Sequence, residues 1–452
     1  MKSKINQSIF KAYDIRGIAS EDFDGGLPEK IGQALVDFTN AKWVVLGWDA
    51  RTSSPQLCDG VRRGLLSRGV KIIEIGLCTT PMFNFAVASD HQIDAGIMVT
   101  ASHNPSQYNG FKMVYAGARP ISGIRMLDEV LKVEEAGEKT EISGGTVEKR
   151  EIISDYLSAV LKIARFDAEP NQKLGRIVID AGNGMVGVPL PEFLKRTNIN
   201  AKVLFPEVDC SFPNHEANPV KETTLEALKR TVVDEGAAYG VSFDGDADRI
   251  GFVDEKGVRI AGDHIGALIA EEILLSAPGS LILGDTNAGW AFREAVEKAG
   301  AKFEITPVGH ANIKINMRES KALFAAELSY HFYYRDFYNV ESTLLTFLLV
   351  KRRYAREGKK MSELVAPYRK YFATGEMNIE VKDAPELLKR VRAHYESEAN
   401  KIFDADGIRM EFDNFWFSLR ASNTEPLVRL NLEAKSREEM EMRKTEVLSL
   451  IK

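Results

Sequence analysis

The sequence predicts an α/β protein: three similar α/β domains followed by a C-terminal antiparallel α+β domain. Three observations carry this. A chain of 452 residues is too long for one hydrophobic core, and at roughly 150 residues per domain it divides into three or four. An apolar strand ending in Asp and turn residues, then a helical stretch and a second β-rich strand, recurs three times. Towards the C-terminus this pattern gives way to short strands of alternating character.

The first copy opens with Trp43-Val44-Val45-Leu46-Gly47-Trp48-Asp49, runs through a helix from near Pro55 to Arg68 capped by Gly69, and returns at Val70-Lys71-Ile72-Ile73-Glu74-Ile75. The second opens with Ile177-Val178-Ile179-Asp180-Ala181-Gly182-Asn183-Gly184 and returns at Ala201-Lys202-Val203-Leu204-Phe205. The third begins Leu281-Ile282-Leu283-Gly284-Asp285-Thr286, passes a helix ending near Lys298-Ala299-Gly300, and returns at Ala301-Lys302-Phe303-Glu304-Ile305-Thr306. Strand, helix and strand in about thirty residues is the βαβ crossover of a mostly parallel sheet. The copies share architecture rather than sequence and lie far apart, so they read as domains and not as a solenoid. Residues 407–412, 415–419 and 427–434 are short strands, and 436–451 a charged amphipathic helix covering one face of an antiparallel sheet. Charged segments at 134–149 and 351–360 lie near candidate boundaries and read as solvated surface.

Composition excludes several classes of function. An apolar fraction of 44% and a charged fraction of 27% are those of an ordinary globular protein. A net charge of −6 argues against a nucleic-acid partner, which needs a basic face, so any anion site must be local. Cys58, Cys78 and Cys210 are odd in number and lack CxxC spacing, which indicates neither a disulfide framework nor a thiolate metal site. The start, 1–7, is polar rather than a signal peptide, and the longest apolar run, 344–350, is far short of a membrane span. A cytoplasmic protein with no membrane partner is expected.

Four segments carry chemistry. In Val99-Thr100-Ala101-Ser102-His103-Asn104-Pro105 a strand delivers a serine hydroxyl into a loop; Ser102 reads as a presented nucleophile, with ordinary turn chemistry as the alternative. Asp244-Gly245-Asp246-Ala247-Asp248-Arg249 places three carboxylates at alternate positions between two apolar runs. Their repulsion calls for a cation, and all-oxygen ligation points to a hard ion such as Mg²⁺; an acidic surface turn is the alternative. An EF-hand reading, which would use Glu255 at loop position twelve, fails on Arg249 where such loops need glycine. Arg420-Ala421-Ser422-Asn423-Thr424-Glu425-Pro426 offers a guanidinium, hydroxyls, an amide and loop N–H groups to a phosphate, or forms a capped turn. In Glu327-Leu328-Ser329-Tyr330-His331, an extended segment of period two would put Glu327, Ser329 and His331 on one face, against sugar hydroxyls or along a solvent-facing edge.

Together these segments resemble the α-D-phosphohexomutases, specifically the phosphomannomutase/phosphoglucomutase branch, along nearly the whole chain. Phe10-Lys11-Ala12-Tyr13-Asp14-Ile15-Arg16-Gly17 is similar to that branch's opening motif, 100–105 to its phosphoserine loop, 244–249 to its metal loop and 420–426 to its phosphate-binding loop. The resemblance implies mixed-sheet α/β domains at 1–148, 149–257 and 258–368 and an α+β domain at 369–452, set around a central cleft. It implies that Ser102 carries a transferable phosphoryl group and that Asp244, Asp246 and Asp248 bind Mg²⁺ together with it. Asn109-Gly110-Phe111-Lys112 matches the segment after the serine, so Lys112 is the implied general acid/base, joined in the catalytic set by Arg16, His103 and His331. Gly309-His310-Ala311-Asn312-Ile313-Lys314 resembles the family's Gly-His-x-x-Ile-Lys, which turns His310 and Lys314 towards substrate. Tyr13, Arg249, Glu327, Ser329, Arg420, Ser422, Asn423, Thr424 and Arg429 complete the implied substrate set. Phe212-Pro213-Asn214-His215 and Asn218-Pro219 match a segment of structural role.

The implied activity interconverts hexose 1-phosphate and hexose 6-phosphate, mannose and/or glucose. A hexose 1,6-bisphosphate serves as intermediate and activator, a phosphosugar is the partner, and the chain acts as a monomer or weak oligomer. Phosphoglucosamine mutase is the runner-up, but that branch opens with Gly-Thr-Asp-Gly where Lys11-Ala12-Tyr13-Asp14 stand. A non-catalytic sugar-phosphate sensor would not need Ser102, Lys112 and three aspartates together, and a serine-dependent phosphohydrolase is the third alternative. The sugar loop departs from the usual Gly-Glu-Met-Ser-Gly-His, with Ala326, Leu328 and Tyr330 at its first, third and fifth positions. Residues with a Cβ at two permissive positions imply a reshaped turn and a shifted or broader sugar selectivity.

Overall fold

The computed structural model describes residues 5–24, 26–137, 143–166, 175–404, 406–421 and 426–451. Its first strand-helix-strand segment is Trp43–Trp48, the helix Ser54–Leu66 and Lys71–Leu77. Pro55 stands in the first helical turn, where its missing N–H costs nothing, and Gly69 takes φ 71° to start the return strand. Trp43–Trp48 pairs in parallel with Lys71–Leu77 and with Ala95–Val99, whose residues are all buried. Beyond Pro105 the chain reverses, and Tyr108–Tyr115 returns antiparallel beside Ala95–Val99. Ile15–Ile18 adds a further antiparallel strand that sets Arg16 opposite Gly110. A Cβ at Gly110 would stand 2.0 Å from the Ile15 carbonyl oxygen, so this approach requires glycine. The charged stretch 134–149 is not only solvated surface: Thr146–Lys149 pairs in parallel with Lys71–Leu77 as an edge strand.

The chain divides into two units, Met1–Ile260 with Ser329–Met361 and Ala261–Leu328 with Ser362–Lys452. The first holds the mixed sheet above and a second, five-stranded one. There Ile177–Asp180 runs parallel to Ala201–Leu204 and Tyr239–Phe243, and Ile250–Asp254 returns antiparallel beside Tyr239–Phe243. That return presents residues 244–249 between two fully buried strands. His215 anchors the neighbouring segment, its Nε2 3.0 Å from the buried Asp180 carboxylate. Residues 352–360 are half-buried or exposed, in keeping with solvated surface, and within helix Thr343–Glu357 Lys351 departs from that reading. Lys351 follows the buried face of that helix, is itself buried, and lies 5.2 Å from the Phe166 ring centroid, and burial pulls its pKa down to about 8.

In the second unit Leu281–Asp285 runs parallel to Lys302–Thr306 and Phe324–Ala326. Ile408–Glu411, Phe415–Ala421 and Leu427–Ala434 form an antiparallel meander, onto which helix Arg437–Ile451 buries Met440, Val447 and Ile451. Mixed sheets with an antiparallel C-terminal sheet make the α/β class the sequence predicts. The three cysteines are free and buried, and among the described residues no helix is long and apolar enough to cross a membrane.

Candidate active site

Ser102 lies just past the end of the Ala95–Val99 strand with φ 52°, a left-handed conformation that costs an L-residue about 1–2 kcal/mol. The surroundings enforce it. Thr100 Oγ1 accepts a hydrogen bond from the Ser102 N–H at 3.0 Å. Arg51, with a fully buried side chain, donates from Nη2 to the carbonyls of Ser102 at 2.8 Å and Asn104 at 2.7 Å. Its Nη1 donates to the carbonyls of Pro105 at 2.7 Å and Tyr108 at 3.0 Å, and its Nε to Asp49 Oδ2 at 3.0 Å. Sequence reasoning missed Arg51, whose only signal was an Asp-x-Arg pattern closing a strand. The clamped loop aims the Ser102 hydroxyl at Asp244, with Oγ 3.1 Å from Oδ2 and 3.2 Å from His103 Nδ1.

Asp244, Asp246 and Asp248 are buried, with carboxylate oxygens within 4.8 Å of one another. Burial, then Asp248 and Asp246, pushes the Asp244 carboxyl well above the ordinary range. Burial acts in the same sense on Asp248, but Lys112 and then His331 outweigh it and hold that carboxyl well below. The Lys112 ammonium donates at 2.6 Å to both Asp246 Oδ2 and Asp248 Oδ2. Burial opposes that charge, yet the two aspartates keep Lys112 protonated far above its usual pKa. Thr80 Oγ1 donates to Asp246 Oδ2 at 2.6 Å. The loops of Ser102 and of the aspartates touch at Gly245, where a Cβ would come 2.3 Å from the Ser102 carbonyl oxygen. Among the described residues Asp246 Oδ1 is buried without a hydrogen bond, and Asp248 Oδ1 lies 3.2 Å from His331 Nε2. Buried carboxylate oxygens with open acceptor capacity fit a metal ion, and their hardness fits Mg²⁺.

Arg16 Nη1 donates to Asn104 Oδ1 at 2.8 Å and Nη2 pairs with Asp14, while its buried Nε has no hydrogen-bond partner among the described residues. Tyr13 lies half-buried in the bend before that strand. Burial, then Arg249 and Arg16, lowers the His103 pKa well below its usual value, which leaves a neutral imidazole beside Ser102. Arg249 donates its N–H to Asp244 Oδ1 at 3.0 Å and Nε to His331 Nε2 at 3.3 Å. Ser329 Oγ is 2.9 Å from His331 Nδ1.

The extended, period-two reading of 327–331 is corrected. The segment is a turn, because Tyr330 takes φ 70°, and alternation along a strand therefore does not apply to Glu327, Ser329 and His331. Tyr330 is buried, donates its hydroxyl to the Ile260 carbonyl at 2.9 Å, and accepts from the Ile250 N–H at 3.2 Å.

The second unit groups the remaining described residues. Glu327 Oε1 accepts from the Gly309 N–H at 2.9 Å, and helix His310–Ser320 starts there with Lys314 one turn on. Burial, then Glu327, pushes the Asp285 carboxyl up to about 7. Arg420 and Arg429 stand opposite each other on paired strands. Ser422, Asn423 and Thr424 lie outside the described residues.

Comparison with known proteins agrees with this arrangement. Family models for phosphoglucomutase/phosphomannomutase match along the chain: alpha/beta/alpha domain I at residues 7–133, domain II at 154–257, domain III at 261–371 and the C-terminal domain at 376–450. The chain is an α-D-phosphohexomutase. This phosphohexomutase is 36% identical to a phosphomannomutase of Salmonella montevideo over 99% of each chain. It is 34% identical to a phosphomannomutase of Methanocaldococcus jannaschii over 98% of this chain and 97% of the relative. A phosphoglucomutase/phosphomannomutase family protein of Burkholderia thailandensis has the same fold, with TM-score 0.90, 29% identity, and 99% of this chain and 97% of that one covered. The phosphohexomutase is thus an enzyme, an intramolecular phosphotransferase acting on hexose phosphates.

Proposed function

We propose that this phosphohexomutase moves a phosphoryl group between O1 and O6 of a hexose, mannose and/or glucose, with Ser102 as carrier. The observation that carries the reading is the Ser102 hydroxyl 3.1 Å from Asp244, at the edge of a buried cluster of three carboxylates. Phosphorylated Ser102 gives its phosphoryl to the free hydroxyl of a hexose monophosphate, whose proton leaves, and the product is a hexose 1,6-bisphosphate. After that intermediate turns over, its other phosphate returns to Ser102 and the isomeric monophosphate departs. The same bisphosphate activates the enzyme by phosphorylating a bare Ser102.

Asp244, Asp246 and Asp248 would hold Mg²⁺ beside the seryl oxygen, and when bound it supplies positive charge against the transferring group. This chain's own residues do the rest. Arg16, held at the loop by Asn104, and Arg249 offset charge on the phosphoryl oxygens. Lys112, set between Asp246 and Asp248, is the general acid/base for the transferred hydroxyl proton, and His331 together with His103, a neutral imidazole, completes the proton relay around the serine. Glu327, Ser329, His310, Lys314 and Tyr13 hold the sugar, while Arg420 and Arg429, with Ser422, Asn423 and Thr424, take the non-reacting phosphate. The serine, metal, sugar and phosphate loops are assigned to domains 1–148, 149–257, 258–368 and 369–452. The net charge of −6 argues against a nucleic-acid partner, so the phosphosugar is bound by the local cluster of basic side chains.

Intact mass before and after glucose 1,6-bisphosphate should show one added phosphoryl group in the wild type and none in Ser102→Ala. A coupled assay on glucose 1-phosphate and mannose 1-phosphate should show the variant inactive. Full mutase activity in Ser102→Ala would overturn the scheme.

A further inference from the structure

Arg420 and Arg429 are cross-strand neighbours, and like charges directly opposite repel unless an anion lies between them. One lies there already. Glu376 reaches Arg429 Nη1 with Oε1 at 3.4 Å and Arg420 Nη2 with Oε2 at 3.6 Å. A tight guanidinium–carboxylate bond measures about 2.7–2.9 Å, so the gap is wide for this carboxylate. Both arginines also keep a buried Nε with no hydrogen-bond partner among the described residues, donors that Glu376 leaves unused. On the far side Asp406 Oδ2 stands 3.8 Å from Arg420 Nη1 while accepting from the Val308 N–H at 3.3 Å. Burial raises the Asp406 carboxyl above its ordinary range against the opposing pull of Arg420. Glu376 directly precedes the strand Met377–Glu380, whose pairing opposite Arg429 fixes its backbone, while its side chain is 35% exposed and able to swing out.

We infer that Glu376 is an internal stand-in for the phosphate of the substrate: its carboxylate occupies the position between Arg420 and Arg429 and is displaced when a phosphate monoester arrives. The inference rests on the phosphosugar reading above and adds a residue that tunes affinity. A phosphate dianion carries more charge and more acceptor oxygens than a carboxylate, so it wins the exchange and reaches the unused donors. Because each arrival must expel a resident anion, affinity is lowered and release quickened. A site that holds first one and then the other phosphate of an intermediate needs that reversibility.

The test is calorimetric binding of glucose 1-phosphate, and separately of inorganic phosphate, to the full chain carrying Ser102→Ala, with and without Glu376→Gln or Glu376→Ala. Two partly exposed ion pairs are lost, so both variants should bind either ligand about three- to tenfold more tightly, with slower dissociation. Unchanged or weaker binding in either variant would overturn the inference and make Glu376 a residue that merely orients the arginines. Since binding needs no turnover, this outcome is separate from a failure of the mutase scheme, which the coupled assay on the wild type reads.

Discussion

Replacing Arg51 with methionine removes the clamp on the serine loop while keeping length and apolar stem. Five hydrogen bonds go at once: those to the carbonyls of Ser102, Asn104, Pro105 and Tyr108 and the bond to Asp49. Removing one partner of a buried ion pair costs about 3–5 kcal/mol, and each buried carbonyl left unpaired about 1–3 kcal/mol before water reaches it. These costs overlap, so roughly 5 kcal/mol is expected, as much as the whole stability of a marginal domain. The loss falls on this loop, where Thr100 still accepts from the Ser102 N–H but the carbonyls of Ser102 and Asn104 are released. Hydrogen exchange over residues 100–108 should speed up, and kcat on hexose 1-phosphate should fall by about 100-fold or more as the nucleophile loses its position. Arg51→Lys, which keeps the charge beside Asp49 but not the five-donor fork, should fall between. Wild-type exchange and a melting temperature within about 1 °C of wild type in Arg51→Met would refute this account of the loop.

Tyr330→Phe removes the hydroxyl bond to the Ile260 carbonyl, worth about 1 kcal/mol, and loosens the turn that holds Ser329 and His331. KM for hexose 1-phosphate should rise about fivefold and kcat should fall as His331 loses its support, and unchanged steady-state constants would count against this role. Burial, then Asp263, pushes the Glu433 carboxyl up to about 7, whereas an unfolded glutamate titrates near ~4.3. The folded state therefore binds this proton more tightly, and the associated stability is full below the unfolded pKa and lost as pH rises through about 7. In Glu433→Gln that loss disappears, so the melting temperature of the variant relative to wild type should climb between pH 5 and 8; a constant difference would contradict the assignment.

The serine and aspartate loops were legible because each is one contiguous segment whose composition makes poor sense as packing. The strands before them were legible as apolar runs. Arg51 was not, since its partners lie some fifty residues away and only the fold carries them to it. The 327–331 turn was misread because a period-two pattern of polar residues looks the same whether the backbone is extended or reversed. Only the left-handed Tyr330 settles which it is, and tyrosine is not a residue that announces φ 70°. Lys351 belongs to the same class, as a charged residue whose burial depends on what its part of the helix packs against.

Gly245 locks the serine and aspartate loops together. With the Ser102 carbonyl 2.3 Å from where its Cβ would be, even alanine would push the two loops apart. Segments remote in sequence are therefore machined as a single part, and drift in one is bounded by the other. Loops elsewhere are free to diversify and retune what the enzyme accepts, whereas this joint can be inherited or lost but not gradually adjusted.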